Sequence, residues 1–414
     1  SSASAAASTT DRPLTSSERL IFAGVLALAL FVLFRGRAAG MVPTSVWDHD
    51  SGIFGARFAA QLGVLFVGVI GLQLFPERWS RVILMIEGAV CLAIMGHSTA
   101  LLFGALLLAW FFALALPLPA IARLVMCAAL LAILGWCGGH GLIARAYAFS
   151  MMFSLRLIMY AWDQWQKGFP KAALRPYLTY VLAAPLVVFP PYLTFIPTFD
   201  KHDAKITPRL SASRVRRAFR HFGLGLLFAF FVAFAHVAPN IDGTSLPIRS
   251  LRYVMVVASV AQIAHLTFAL LLLHGMDDRL PINNPLFSRD YVQYWSRFQI
   301  HQKDMQVNLF YTPALFRLRK GNRYITIMAA LMWTLVLWNT ILHLLIRYLY
   351  FTHAELLEHL RIALMVNALN TLVIGGTLCL QEWRRRSKHP APKGLVWEGM
   401  SWMCTMLFAV TTTT

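Results

Sequence analysis

The chain has 414 residues, of which 58% are hydrophobic and only 13% charged, a composition that excludes an ordinary soluble globular domain. A formal net charge of +19 would point a soluble protein toward nucleic acid. Here the basic residues sit in short loops between apolar runs, so anionic lipid headgroups and membrane orientation account for them and no nucleic-acid partner is expected.

No strand-like alternation is visible, and a backbone in lipid must satisfy its own hydrogen bonds. The expected fold class is therefore all-α, a polytopic membrane bundle of about ten to twelve helices. Residues 1–18 are rich in Ser and Ala and are expected to form a disordered tail. They lack the basic start of a signal peptide, so the apolar run that follows is expected to stay as the first helix of a single transmembrane domain over 19–414. Spans are read near 20–35, 56–75, 82–97, 99–117, 119–137, 141–161, 176–198, 222–238, 252–275, 324–350, 359–382 and 397–414, each close to the ~20 residues that cross a bilayer.

Three connections are strongly basic: 199–221, with Lys201, Arg209, Arg214, Arg216, Arg217 and Arg220 among others; 317–323, with Arg317, Arg319, Lys320 and Arg323; and 384–393, with Arg384, Arg385, Arg386, Lys388 and Lys393. The positive-inside rule puts all three in the cytosol. The spans between them form two out-and-back pairs, which agrees with that placement. Two stretches depart from the simple pattern. In 176–198, Pro185, Pro190 and Pro191 remove backbone donors, a break tolerated at membrane depth only against protein or water. The stretch 281–316 is too polar to span and too aromatic for a plain loop, and it reads as interfacial or re-entrant helices. Cys91, Cys127, Cys137, Cys379 and Cys404 stand singly in or beside apolar runs and are expected to be packing residues.

Polar side chains inside apolar runs are costly to bury and are functional candidates by default. Asn339, His343 and Arg347 recur at i, i+4 and i+8, a stripe on one helix face that should point into the bundle. At about 1.5 Å per residue from Tyr324, Asn339 lies roughly 22 Å along the helix, His343 roughly 28 Å and Arg347 roughly 34 Å, where Arg347 can snorkel to headgroups. His97, His140, His236, His265 and His274 lack ligand spacing, so no metal site is expected. Asp163 with Lys167 and Lys171 reads as an interfacial charge group. No Gly-x-Ser-x-Gly, His-Glu-x-x-His or paired intramembrane carboxylate motif is present in the sequence, which argues against serine-hydrolase, zincin and simple proton-coupled carrier chemistry.

Four segments carry a resemblance. Tyr160-Ala-Trp-Asp163-Gln-Trp-Gln-Lys-Gly168 looks like a Tyr-x-x-Asp-x-Tyr-Arg-Gly segment, and Ala184-Pro185 followed by Pro190-Pro191 looks like a Phe-Pro-Gln-Leu-Ile-Ala-Gly-Pro element. Tyr294-Trp295-Ser296-Arg297-Phe298-Gln299-Ile300 looks like Phe-Trp-Arg-Arg-Trp-His-Ile, with Asn308, Tyr311 and Pro313 in register on its Asp, Tyr and Pro. Leu337-Trp338-Asn339 looks like a Leu-Trp-His. In that order and spacing, over roughly residues 150–350, the chain resembles the membrane-bound O-acyltransferase (MBOAT) superfamily, in its bacterial branch of alginate O-acetylation and teichoic-acid D-alanylation proteins. The family's motif histidine falls on Gln299 and its catalytic histidine on Asn339.

The resemblance implies transfer of a short acyl group such as acetyl. The donor would be a cytosolic thioester, acyl-CoA or an acyl carrier protein, with no resident cofactor. The acceptor would be a hydroxyl of an extracytoplasmic polysaccharide or envelope polymer, and an extracytoplasmic acyltransferase partner protein is a further expectation. A bacterial inner membrane location follows from the same branch. An acylation base must titrate near neutral pH, which Gln and Asn cannot do, so His343 is the expected base, with Asn339 orienting it or the carbonyl. Arg297 or Lys303 would meet donor phosphates, and Gln299, His301, Asn308 and Trp338 complete the expected substrate contacts. Segment 294–308 has a second reading as an amphipathic helix on anionic lipid. The whole chain likewise has one as a catalytically inactive relative, a membrane scaffold or subunit of an envelope or exopolysaccharide complex.

Overall fold

The computed structural model describes residues 14–19, 21, 54–139, 157, 158, 160–162, 164, 165, 174–182, 210–237, 245–276, 280, 282–298, 300–341, 353–388 and 395–413. Most of the expected runs at 20–35 and 141–161, the prolines at 185, 190 and 191, Asp163, Gln299, His343 and Arg347 lie outside these residues.

Among the described residues the regular structure is helical, as the composition predicts. Helices α1 (Phe54–Leu74), α2 (Ser80–Met95), α3 (His97–Ala115) and α4 (Ala120–Gly139) follow the apolar runs closely, and each packs on the next. Gly96 divides the long apolar stretch into α2 and α3, because its φ of 144° lies where an L side chain is strained. Pro117 and Pro119 then end α3 and start α4, and Arg123 covers the open end of α3 by donating to the Leu114 carbonyl at 2.9 Å.

Helix α5 (Leu174–Leu182) packs on α2 and α3, and the buried Tyr177 hydroxyl donates to the Leu107 carbonyl at 2.8 Å. Helices α6 (Ala212–Val237) and α7 (Leu246–Leu273) form the most extensive pair. Helix α6 begins ten residues before the expected span, so Arg214, Arg216, Arg217 and Arg220 sit on helix and not in a loop. Residues 16–19 are also helical, three of them inside the expected tail. Thr15 and Glu18 cap one another reciprocally there, with Thr15 N–H on the Glu18 carboxylate at 2.8 Å and Glu18 N–H on Thr15 Oγ1 at 3.3 Å, a capping box.

The polar, aromatic stretch is a series of short helices: α8 (Tyr291–Arg297), α9 (Ile300–Gln306), a π-helical turn over Val307–Tyr311, and α10 (Thr312–Arg317). Asp290 starts α8 by accepting from Gln293 N–H at 2.8 Å. Beyond the basic turn come α11 (Arg323–Leu331), capped by Asn322, and a second π-helical stretch over Met332–Asn339. Helix α12 (His353–Ser387) packs on α8, α11 and that second π stretch, and α13 (Leu395–Thr413) packs on α7.

The outward faces are apolar, with Leu101 75%, Ile121 77% and Leu357 67% exposed, the pattern of helices that meet lipid or another apolar partner. By length and composition, Pro247–Leu273 and Leu357–Ser387 can each cross a membrane. Cys91 and Cys127 are buried packing residues as expected, whereas Cys404 is exposed.

Candidate functional site

Helix geometry alone should direct the stripe containing Asn339 inward, and Asn339 is 3% exposed. Its amide is used at both ends. The Oδ1 atom accepts from Gln306 Nε2 at 2.5 Å and Nδ2 donates to Asn367 Oδ1 at 2.9 Å. Asn367 in turn donates from Nδ2 to Thr340 Oγ1 at 2.9 Å. Donors and acceptors thus run in one direction through four side chains, an arrangement in which each bond polarises the next. Three residues along α12, Asn370 accepts from the Tyr291 hydroxyl at 2.7 Å, which fastens α8 to the same helix.

Two irregular turns frame this cluster. Gln306 immediately precedes the Val307–Tyr311 π turn, and Asn339 closes the Met332–Asn339 π stretch. A π turn holds an extra residue compared with an α turn and recurs at functional sites. It also shortens the rise per residue, so the depth counted for Asn339 from Tyr324 is an overestimate. Between the two turns, Trp338 stacks on Phe310 with ring centroids 4.6 Å apart and planes 11° from parallel, and Trp333 meets Trp338 edge-on at 5.9 Å. The Trp338 indole nitrogen is buried with no hydrogen-bond partner among the described residues. A second apolar cluster, Met305 and Leu309 packed by Ile158, Trp162 and Phe310, joins the 157–165 stretch to the same place.

The expected site residues divide into three groups. Asn339 and Trp338 are in the cluster. Arg297, Lys303 and Asn308 are not: Arg297 donates to the Phe287 carbonyl at 3.0 Å and so ties down the 285–287 turn, Lys303 pairs with Asp304 at 2.9 Å, and Asn308 is exposed. His343, Gln299 and the His301 side chain lie outside the described atoms. The reading of 294–308 as a helix lying on lipid meets a counter-observation, since Tyr294, Met305 and Gln306 are all buried within the chain. Near the site, burial raises the Tyr311 phenol above its usual range, against the opposing effect of Arg323, so it is a neutral donor at physiological pH.

Sequence reasoning missed Gln306, Thr340, Asn367, Asn370 and Tyr291. The signal was present for two of them, because Asn367 and Asn370 are amides inside the apolar run of α12, where the cost of burying a polar group applies as much as it does to histidine. It also treated His265 and His274 as isolated. In space, His265 Nδ1 lies 2.8 Å from His221 Nδ1, and His274 Nε2 lies 2.8 Å from Glu87 Oε1.

Every side chain of the amide cluster is neutral. The cluster can orient a polar group and donate to a carbonyl, but it cannot take up a proton at neutral pH, so any proton acceptor must come from beside it. Asn339 retains one N–H and one lone pair after its two bonds. No model of a known protein family matches this chain, and no curated protein matches it significantly.

Proposed function

We propose that this chain is a multi-pass O-acyltransferase of a bacterial inner membrane, with an MBOAT-like bundle and its reaction centre at the facing π turns. The observation that carries the reading is convergence. Three of the four stretches over which the resemblance runs meet at one place, the first and third through residues between their matched positions: Trp162 from the first, Met305, Gln306, Leu309 and Phe310 from the third, and Trp338-Asn339 from the fourth. Chance likenesses of aromatic and polar residues scattered over the chain have no reason to assemble around a buried polar centre.

In this reading a thioester donor, acyl-CoA or an acyl carrier protein, enters from the cytosolic side and an acceptor hydroxyl from the other. His343, four positions after Asn339 in the sequence, takes the hydroxyl proton as the oxygen attacks the thioester carbonyl. The imidazolium then returns that proton to the departing thiolate. Asn339, held by Gln306 and Asn367, orients the imidazole with its remaining N–H or lone pair. The Trp338 indole N–H and Gln299 are the neutral donors for the thioester carbonyl, whose charge grows in the transition state. The acceptor is an envelope polysaccharide or a similar polymer, completed where needed by an extracytoplasmic partner protein.

One observation favours a second reading. Asn339 sits where the resemblance puts the catalytic histidine, and its amide is locked into a structural clamp, as expected of a scaffold that keeps the fold without the base. The two readings are separated by mass spectrometry after incubating the reconstituted protein with isotope-labelled acyl thioesters. Activity in the wild type that falls about 10²–10⁴-fold in His343→Ala, the usual cost of losing a general base, supports the enzyme. Absence of turnover in the wild type across donors, or an unchanged rate in His343→Ala, removes the proposed mechanism.

A further inference from the structure

Away from the amide cluster, the apolar interior encloses a carboxyl against an imidazole. Glu87 on α2 is 4% exposed and His274, which closes α7, is 0% exposed, and Glu87 Oε1 lies 2.8 Å from His274 Nε2. The other ring nitrogen, Nδ1, is 2.6 Å from the Leu270 carbonyl oxygen. A carbonyl only accepts, so Nδ1 carries a hydrogen. The contact at Nε2 requires a second hydrogen, because a bare carboxylate oxygen and a bare imidazole nitrogen are both acceptors. The geometry therefore demands one titratable proton in the pair, beyond the one that neutral imidazole already holds.

The end of the helix favours that proton on the ring. His274 stands at the C-terminus of α7, where the exposed carbonyls of a helix favour a cation. Helix α1 makes room for the carboxylate: a Cβ on Gly68 would come within 2.0 Å of the Glu87 carboxyl carbon. Glu87 Oε2 has no hydrogen-bond partner among the described residues. Cys91, one turn along α2, is the titratable neighbour that interacts with Glu87, and α1 contributes Gly68. A buried ion pair contributes little net stability against apolar packing, and inside a membrane bundle such a pair marks function.

We propose that Glu87 and His274 form a one-proton site that clamps the end of α7 to α1 and α2, and that loss of the proton releases this end. The proton leaves Nε2 for water, and what remains is a neutral imidazole and a carboxylate, two acceptors that repel at the distance that joined them. The consequence reaches the next segment. Helix α7 closes through Gly275 at φ 78°, with Gly275 N–H on the Leu272 carbonyl at 3.1 Å and Met276 N–H on Leu271 at 2.8 Å. The chain then runs on to α8, whose Tyr291 bonds Asn370 beside the amide cluster. The site thus makes the docking of that segment depend on a proton.

The test is hydrogen exchange at the Gly275 and Met276 amides of the full chain in lipid nanodiscs, followed as pH is raised and corrected for intrinsic exchange. The wild type should lose protection in a single one-proton step. Glu87→Gln should keep its protection throughout, because a glutamine N–H can donate to neutral Nε2 without a titratable proton. The proposal is overturned if the wild type shows no step, or if Glu87→Gln shows the same step. Should the variant fail to fold, nitrogen-15 spectra of His274 in the wild type decide the matter: two protonated ring nitrogens that become one at the step support the site, and a ring that does not titrate overturns it.

Discussion

Asn339 holds together three elements with one amide, and its replacement has a cost that can be stated. Asn339→Leu leaves the Gln306 N–H and the Asn367 carbonyl oxygen, both buried, without partners, at about 1–3 kcal/mol for each orphaned group. The variant should unfold at a lower temperature in detergent. Adding Gln306→Leu removes one of the orphans, so the double variant should be more stable than the sum of the single losses predicts, the non-additivity expected of a shared network. Additive losses would mean that the two amides act independently. The Gln306 amide was not legible as a partner before the fold was known. Its place in the sequence is an ordinary polar position on a short helix, and only the π turn after it and the approach of the Met332–Asn339 stretch make it a buried donor.

Helix contacts in this protein are set by where backbones approach, and glycine reports that directly. A Cβ on Gly88 of α2 would lie 1.8 Å from the Leu182 carbonyl oxygen of α5, while one on Gly104 of α3 meets nothing within 4 Å. Gly88→Ala should therefore destabilise by roughly 1–3 kcal/mol or more, since backbone cannot step aside as a side chain can. Gly104→Ala should be neutral or stabilising by up to about 1 kcal/mol through helix propensity. Thermal unfolding of the two variants checks the pair, and equal effects would contradict the α2–α5 contact.

The α6–α7 pair carries a pH dependence. His221 lies at the polar start of α6, where burial, then Arg217 and Arg220, lower its pKa from the usual value. The folded state thus resists a proton that the unfolded state accepts. The stability associated with neutral His221 is present above about pH 6.5, the ordinary histidine value, and is lost as pH falls toward its lower folded value. Unfolding at a series of pH values should show this loss, and His221→Phe should reduce it. The interaction with His265 was invisible in the sequence because 44 residues separate two rings that pack at 5.0 Å.

At the scale of the molecule, the fold brings together two of the basic segments. Arg386 lies over the Tyr324 ring at 5.8 Å, and Cys379 Sγ lies 3.8 Å from the Tyr324 carbonyl. The 317–323 turn and the 384–388 run therefore share one end of the α11–α12 pair. Cysteines introduced as Lys320→Cys and Lys388→Cys, each in a cysteine-free background, should label from the same side of the membrane in intact cells or spheroplasts, the cytosolic side by the positive-inside rule. Labelling from opposite sides would contradict both the packing and the expected topology.

Composition and apolar runs by themselves determined the helical class and, within about two residues, the bounds of α1 to α4 and α13, because a helix satisfies its backbone locally and needs only a run of suitable side chains. They also singled out Asn339. Only the tertiary structure decided what Asn339 touches, that Arg297 and Lys303 serve local partners, and that Glu87 meets His274 across 187 positions. Such pairings depend on which faces of distant helices meet, and on π turns that change the facing of a side chain without leaving a mark in the apolar pattern.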